Sequence, residues 1–205
     1  MDIELLFPTA FGLITNPNHQ HIQSKLVSKS FQLSKTIESG GHYWESKKPY
    51  NTSDNKYNII NDEDFKELNN WVIENINLYI KKTCLKNKVT TEGGWLNIYK
   101  KGDYQEYHSH SYNSISAIYI LKSPEKNSSK IFFKSPDMGR GQLLNDTKAM
   151  LNNEFQWVND VNVYQPNEGT LIIFPSHILH SVSPHNSDDE RITLAYNFQN
   201  IKWNY

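Results

Sequence analysis

Gly169-Thr170-Leu171-Ile172-Ile173-Phe174-Pro175-Ser176-His177-Ile178-Leu179-His180, followed after a short loop by Arg191-Ile192-Thr193-Leu194-Ala195-Tyr196-Asn197-Phe198, is the stretch that decides the fold. Each half holds a run of β-branched, aliphatic and aromatic residues bounded by turn-forming residues, so 170–174 and 192–198 read as strands. Working outward, runs of the same kind recur at 95–99, 116–121, 130–133 and 161–164. Short strands in this number, with turns between them, argue for a sandwich or barrel of antiparallel strands. Before residue 86 the period changes. Ile22, Leu26, Val27, Phe31 and Leu33 fall three and four apart and predict a helix over 21–37. Phe65, Leu68, Val72, Ile76, Tyr79 and Ile80 form the stripe of a second helix, capped by Asn61, with Asp62, Glu63 and Asp64 at its positive end and its finish near Leu85. Residues 3–15, around Pro8, read as an opening strand broken at an edge, and 40–58 as an irregular polar connection. The polar segment 136–160, with Gly139 and Gly141, reads as a long mobile loop beside a binding mouth.

Composition narrows the function. The 205 residues carry a formal net charge of -1 with a pI near 6.7, so no broad field draws nucleic acid or an anionic membrane surface. No apolar run is long enough to span a bilayer and the first residues lack a leader pattern, so the expectation is a cytoplasmic protein with no membrane or nucleic-acid partner. Cys84 is the single cysteine, which rules out an internal disulfide and a thiolate-rich metal site. Any metal is therefore held by nitrogen and oxygen.

Histidines supply the candidates. On an extended segment residues i and i+2 face one way, so His108 and His110 can reach one point near a strand end, and a later strand can deliver His180 to it. Three imidazoles on one side of a metal leave coordination positions open, which suits catalysis. Imidazole serves iron, zinc, copper and nickel alike, and a His-x-His pair also arises on surfaces by chance. Arg191 adds to the pattern, because an arginine facing into a barrel is costly unless an anion neutralises it. The alternative is an arginine in water, paired with Asp188, Asp189 or Glu190. Arg191, Thr193, Ala195 and Asn197 share a face if no bulge intervenes. His177 projects away from His180, His185 reads as a loop histidine, Trp95 and Trp71 as core aromatics, and Cys84 as structural.

The order His-x-His, a long gap, Gly-Thr-Leu-Ile-Ile-Phe-Pro-Ser, His180 and then Arg191 resembles the 2-oxoglutarate- and iron(II)-dependent oxygenases, with the motif order of the prolyl-hydroxylase-like members. Leu6-Phe7-Pro8, Trp95 with Asn97, His108-Ser109-His110, and Phe174-Pro175-Ser176 through His180-Ser181-Val182 resemble a bacterial and phage branch of that family over nearly the whole chain. The resemblance implies a mainly β fold with flanking helices, a double-stranded β-helix (jelly roll, cupin-like). It also implies a single domain over 1–205, with helical support about 17–85 and the β-helix core about 90–200. By the same match, His108, His110 and His180 would hold Fe(II), Arg191 would pair with the far carboxylate of the cosubstrate 2-oxoglutarate, and Thr193, Tyr99 and Asn97 would stand beside it. The implied activity is a dioxygenase, a hydroxylase coupling 2-oxoglutarate decarboxylation to oxidation of a C–H bond in a small molecule or a protein side chain. Two other readings stay open: a catalytically silent jelly-roll binding module, and a three-histidine dioxygenase that needs no cosubstrate. Two departures matter. His110 stands where most relatives have Asp or Glu, which removes a negative charge from beside the metal unless the ring turns away. Tyr119-Ile120-Leu121 stands where those relatives often have consecutive tyrosines, so one phenol is missing beside the cosubstrate.

Overall fold

The computed structural model describes residues 8–41, 48–53, 57–83, 89–110, 112–137 and 160–200. Its strands are β1 Gly12–Thr15, β2 Tyr50–Asn51, β3 Val89–Tyr99, β4 Gln105–His108, β5 Ile115–Lys122, β6 Ile131–Lys134, β7 Val161–Tyr164, β8 Thr170–Pro175, β9 His180–Val182 and β10 Arg191–Asn200. Two helices, α1 His19–Thr36 and α2 Lys66–Lys82, precede most of them. The strands form a six-stranded sheet in the order β1-β8-β5-β10-β3-β2 and a four-stranded sheet in the order β4-β9-β6-β7. All the pairings are antiparallel. This is the jelly roll expected from the strand count, with the helices on the outside of the larger sheet.

The uninterrupted apolar run in β8 follows from burial on both faces, since successive strand side chains point opposite ways. Leu171 and Ile173 join a core with Leu96, Leu194, Tyr196 and the helix residues Leu26, Val72 and Ile76. Ile172 and Phe174 instead meet Ile120, Ile131, Phe133 and Ile178 between the two sheets. Phe133 and Phe174 meet edge to face at 4.9 Å, as aromatic quadrupoles prefer. The central strand β10 alternates likewise. Ile192, Leu194, Tyr196 and Phe198 face the helices, which leaves Arg191, Thr193, Ala195 and Asn197 for the interior.

Long-range pairing displaced several local expectations. The second helix starts later than Asn61, because Asn58 Oδ1 accepts from the Ile60 N–H at 3.0 Å and Asp62 Oδ1 from the Asp64 N–H at 2.9 Å. These side-chain bonds hold two 3-10 turns, Ile59–Asn61 and Glu63–Phe65, ahead of the helix. Asp62 and Asp64 also accept Lys29 of α1, at 3.1 and 2.8 Å, which pins the turns to the first helix. Among the described residues the opening strand runs over Gly12–Thr15, beyond Pro8, and its expected start at residues 3–7 lies outside them. So do Leu6, Phe7, Cys84 and most of the expected mobile loop. The polar connection contains a strand, β2, which pairs Tyr50 with Ile98 and Asn51 with Asn97. Among the described residues no helix is long and apolar enough to cross a membrane.

Gly169, at φ +79°, turns the chain into β8 in the left-handed region, and a Cβ there would stand 2.8 Å from the His19 ring. That ring is itself held, because His19 Nδ1 is 2.8 Å from the Tyr119 hydroxyl. Gly169→Ala is therefore expected to destabilise the fold by about 1–2 kcal/mol from backbone strain, before any steric contribution. Urea denaturation against the parent checks this, and an unchanged midpoint would refute it.

Candidate active site

One wall of the site comes from the smaller sheet. His108 at the end of β4 and His180 at the start of β9 are cross-strand partners, so their rings meet with centroids 4.2 Å apart. His110 lies just past the end of β4, where its N–H donates to the Ser176 carbonyl at 2.8 Å. This turns its ring inward, 5.2 Å from both other imidazoles. His110 is thus brought in and does not turn away. One nitrogen from each of the three rings lies within 4.8 Å of the others, a separation suited to a common metal ion.

Backbone carbonyls select the tautomers. His108 Nδ1 is 2.8 Å from the Glu106 carbonyl and His180 Nδ1 is 3.0 Å from that of Ile178. A carbonyl only accepts, so both Nδ1 atoms carry the proton and each Nε2 carries the lone pair a metal needs. Burial pushes the His180 ring well below the ordinary imidazole pKa, with His108 adding to the effect, and lowers His108 as well. Burial, with His108 beside it, lowers His110 to about 4. Near neutral pH the trio is uncharged.

The other wall belongs to the central strands. Arg191 is 1% exposed, opposite Tyr99 of β3, with its guanidinium carbon 5.0 Å from the phenol ring centre. Its terminal nitrogens Nη1 and Nη2 are buried and find no hydrogen-bond acceptor among the described residues. The acidic neighbours serve other lysines: Asp188 meets Lys101 at 2.7 Å and Glu190 meets Lys122 at 3.6 Å. Burial weakens the guanidinium's hold on its proton, and the Tyr99 phenol partly offsets this. Burial in turn raises the Tyr99 pKa, opposed by Arg191. The Tyr99 hydroxyl donates to Gln105 Oε1 at 2.6 Å. Thr193, 2% exposed, pairs with Asn97 across the strands and accepts from Asn97 Nδ2 at 3.4 Å.

These groups line two connected spaces. A narrow inner cavity of about 30 Å³ touches all three histidines, Tyr99, Arg191 and Thr193. A wide outer cavity of about 670 Å³ shares Trp95, Asn97, Gln105, His108 and His110 with it. Every residue singled out for the site from sequence therefore lines one or both cavities. Asn197 shares that face as expected, lining the outer cavity and accepting from Ser116 Oγ at 2.8 Å. His177 is exposed. Tyr119 points to the helices, against His19 and Trp71, so no phenol of that triplet reaches the site. Trp95, read as a core aromatic, instead stands in the site with its ring 5.4 Å from that of His110.

Sequence reasoning missed His185, which is fully buried and clamps the site from behind. Its Nε2 donates to the Asp189 carbonyl at 2.7 Å while its Nδ1 accepts the Ser129 N–H at 3.2 Å. Its own carbonyl and N–H bond Gly102 and Asp103, at 2.6 and 2.9 Å. The loop leading into Arg191 is thus tied to the turn that leads into Gln105 and His108. A lone histidine after a proline carries no periodic signal that would have shown this. Gln105 and Asn51 were missed for a similar reason, being polar residues outside any motif.

Residues 93–197, half of the chain, match the protein family described as "Putative 2OG-Fe(II) oxygenase". No curated protein matches the chain. Among solved structures, a prolyl-4-hydroxylase of Pseudomonas putida superposes with a TM-score of 0.60 at 13% identity, covering 93% of each chain. The viral collagen prolyl hydroxylase of Paramecium Bursaria Chlorella virus-1, solved with 2OG, gives 0.59 at 16% identity, covering 92% of this chain and 94% of its own. The non-heme alpha ketoglutarate-dependent epimerase SnoN of nogalamycin biosynthesis gives 0.67 at 10% identity, covering 94% and 77%. At such identities these likenesses speak for the double-stranded β-helix fold alone. The family match speaks for chemistry: this chain belongs to the 2OG-Fe(II) oxygenases, enzymes that use iron(II) and 2-oxoglutarate.

Proposed function

We propose that this enzyme is a hydroxylase coupling decarboxylation of 2-oxoglutarate to oxidation of a C–H bond, with His108, His110 and His180 holding the iron and Arg191 holding the far carboxylate of the cosubstrate. The observation that carries this reading is the buried Arg191 fork, with two nitrogens lacking an acceptor, beneath three converging neutral imidazoles. A buried unpaired cation is too costly to keep without an anion to meet, and a planar fork suits a carboxylate. Iron(II), when bound, supplies the oxygen chemistry, and the protein supplies orientation, charge and exclusion of water.

Each neighbouring group has a part in that arrangement. The Tyr99 phenol and Thr193 hydroxyl stand beside the guanidinium as further donors for a carboxylate. Asn97, on the same wall, orients Thr193. Phe174, Ile118 and Val182 line the inner cavity with apolar surface, which strengthens the charge pairing by keeping it dry. The inner cavity, at about 30 Å³, is small for a five-carbon diacid, and release of Tyr99 by Gln105, which lines both cavities, is the movement we propose to admit one. The outer cavity is large enough for a substrate group and reaches back to Asn51 and Tyr57 of the helical half. That shared lining supports reading the chain as one domain. Prolyl hydroxylases and a nogalamycin epimerase share the fold, so both a protein side chain and a small molecule remain compatible with it as the substrate class.

Anaerobic addition of iron(II) and 2-oxoglutarate is expected to give the weak visible charge-transfer band of the chelate, and oxygen should then yield succinate. Absence of both would refute the reading. Arg191→Ala is expected to cost about 3–5 kcal/mol of cosubstrate binding while metal binding persists, as calorimetry with 2-oxoglutarate would register. Gln105→Ala should tighten cosubstrate binding several-fold by freeing the Tyr99 phenol, and a weakened Kd would show that Gln105 is not a barrier. The pH response gives a test without turnover. Burial lowers the three imidazoles in the folded protein below their usual 6.5, so the unfolded chain takes up protons first as pH falls. Stability of the metal-free protein should therefore be full above about 6.5 and decline toward about 4, the value for His110. His110→Gln should flatten that decline in urea melts.

A further inference from the structure

A buried polar atom without a partner calls for an explanation, and two of them besides the Arg191 nitrogens belong to residues that line the cavities. Asn51 is 1% exposed, and its Nδ2 has no hydrogen-bond partner among the described residues. Its orientation is fixed, because Oδ1 accepts from the Ser53 N–H at 3.1 Å and from the Ser53 hydroxyl at 2.6 Å, so the nitrogen is the atom left without a partner. Asn97 is 3% exposed, with Nδ2 directed to Thr193 and Oδ1 unpartnered. The two residues are direct partners across β2 and β3. The Thr52 N–H bonds the Leu96 carbonyl at the next position, so residues 51 and 97 form the closer, non-hydrogen-bonded kind of pair, with Cβ atoms roughly 5 Å apart on one face.

We infer that Asn51 and Asn97 form a subsite that reads a primary carboxamide on the substrate, with Asn51 Nδ2 donating to its oxygen and Asn97 Oδ1 accepting from its nitrogen. This rests on reading the outer cavity as the substrate chamber. A primary amide presents an acceptor and a donor side by side on one edge, which matches a donor next to an acceptor on the wall. A trans peptide unit presents them on opposite edges and does not match. A carboxylate offers two acceptors and would leave Asn97 Oδ1 facing a like partner. The described lining also holds the carboxylates of Glu92 and Glu106 and no lysine or arginine, which disfavours anions. The occupant is an uncharged amide, such as the end of an asparagine or glutamine side chain or of a small-molecule carboxamide.

The test uses the full chain, ¹⁵N-labelled, with zinc in place of iron and 2-oxoglutarate added, and follows the side-chain NH₂ signals of Asn51 and Asn97 in NMR spectra. Propionamide is expected to shift the Asn51 signal saturably. Its isomer N-methylacetamide, which is trans, should bind at least about tenfold more weakly, and propionate should leave the signal in place. Asn51→Asp keeps both bonds from Ser53 but replaces the donor by an acceptor, so it should weaken propionamide by at least about tenfold, with the retained spectrum reporting the fold. Asn97→Leu, of similar size but without the acceptor, read on the Asn51 signal, provides the second arm, with the same loss expected. Equal binding of the two isomers, propionate binding better than propionamide, or no shift with any probe would overturn the subsite. The oxygenase reading is scored separately on the same sample. If 2-oxoglutarate moves no signal of Thr193 or Arg191, that reading falls, whereas its response together with a silent Asn51 leaves it standing and overturns the amide subsite alone.

Discussion

The last strand is paired along both edges from Ile192 to Phe198 and packed there on both faces, and that double constraint sets the rest of the molecule. A strand in this position cannot slip by one residue without sending its whole apolar set to the wrong side. With Ile192, Leu194, Tyr196 and Phe198 committed to the helices, Arg191 and Thr193 have no place to go except the interior. The same packing that stabilises the larger sheet therefore forces a guanidinium into a dry wall. Burial of the apolar face returns about 25 cal/mol per Å², and across the shared core this outweighs one ill-favoured charge. The guanidinium is held in an unfavourable place by neighbours that gain from the arrangement.

The site divides its electrostatics unevenly. One wall offers three imidazoles that burial keeps neutral, and the other offers a single cation with Tyr99 beside it. No carboxylate of the described residues faces the inner cavity. With His110 where an acid would bring negative charge, the guanidinium, and a dication if the imidazoles held one, would be balanced only by a bound anion. Backbone carbonyls of Glu106 and Ile178 orient two of the rings, so that wall is preorganised by the protein itself.

Much of this was legible in the residue order, and the reasons are local. The run in Thr170–Pro175 is apolar at every second position on both faces because both faces are buried, which a sequence displays directly. His108 and His110 could be tied to His180 because strand geometry puts i and i+2 together, although the actual device is different: His110 leaves the strand and is turned in by Ser176. What stayed hidden depends on partners far along the chain. The two-residue strand Tyr50–Asn51 has no pattern of its own and exists because Leu96 and Ile98 offer an edge. Asp62 and Asp64 looked like helix-start acids, and their lysine partners on the first helix could not be seen from composition. His185 and Gln105 are single polar residues whose importance lies wholly in what they touch.

The His185 clamp has a mechanical consequence. It joins the turn ahead of Gln105 and His108 to the loop ahead of Arg191, so one small knot of backbone bonds sets the spacing between the wall of imidazoles and the wall of the guanidinium. The two walls are thereby made to share one frame. Whatever stiffens that frame at one wall stiffens it at the other, a coupling through the scaffold that adds to any direct contact between groups bound there.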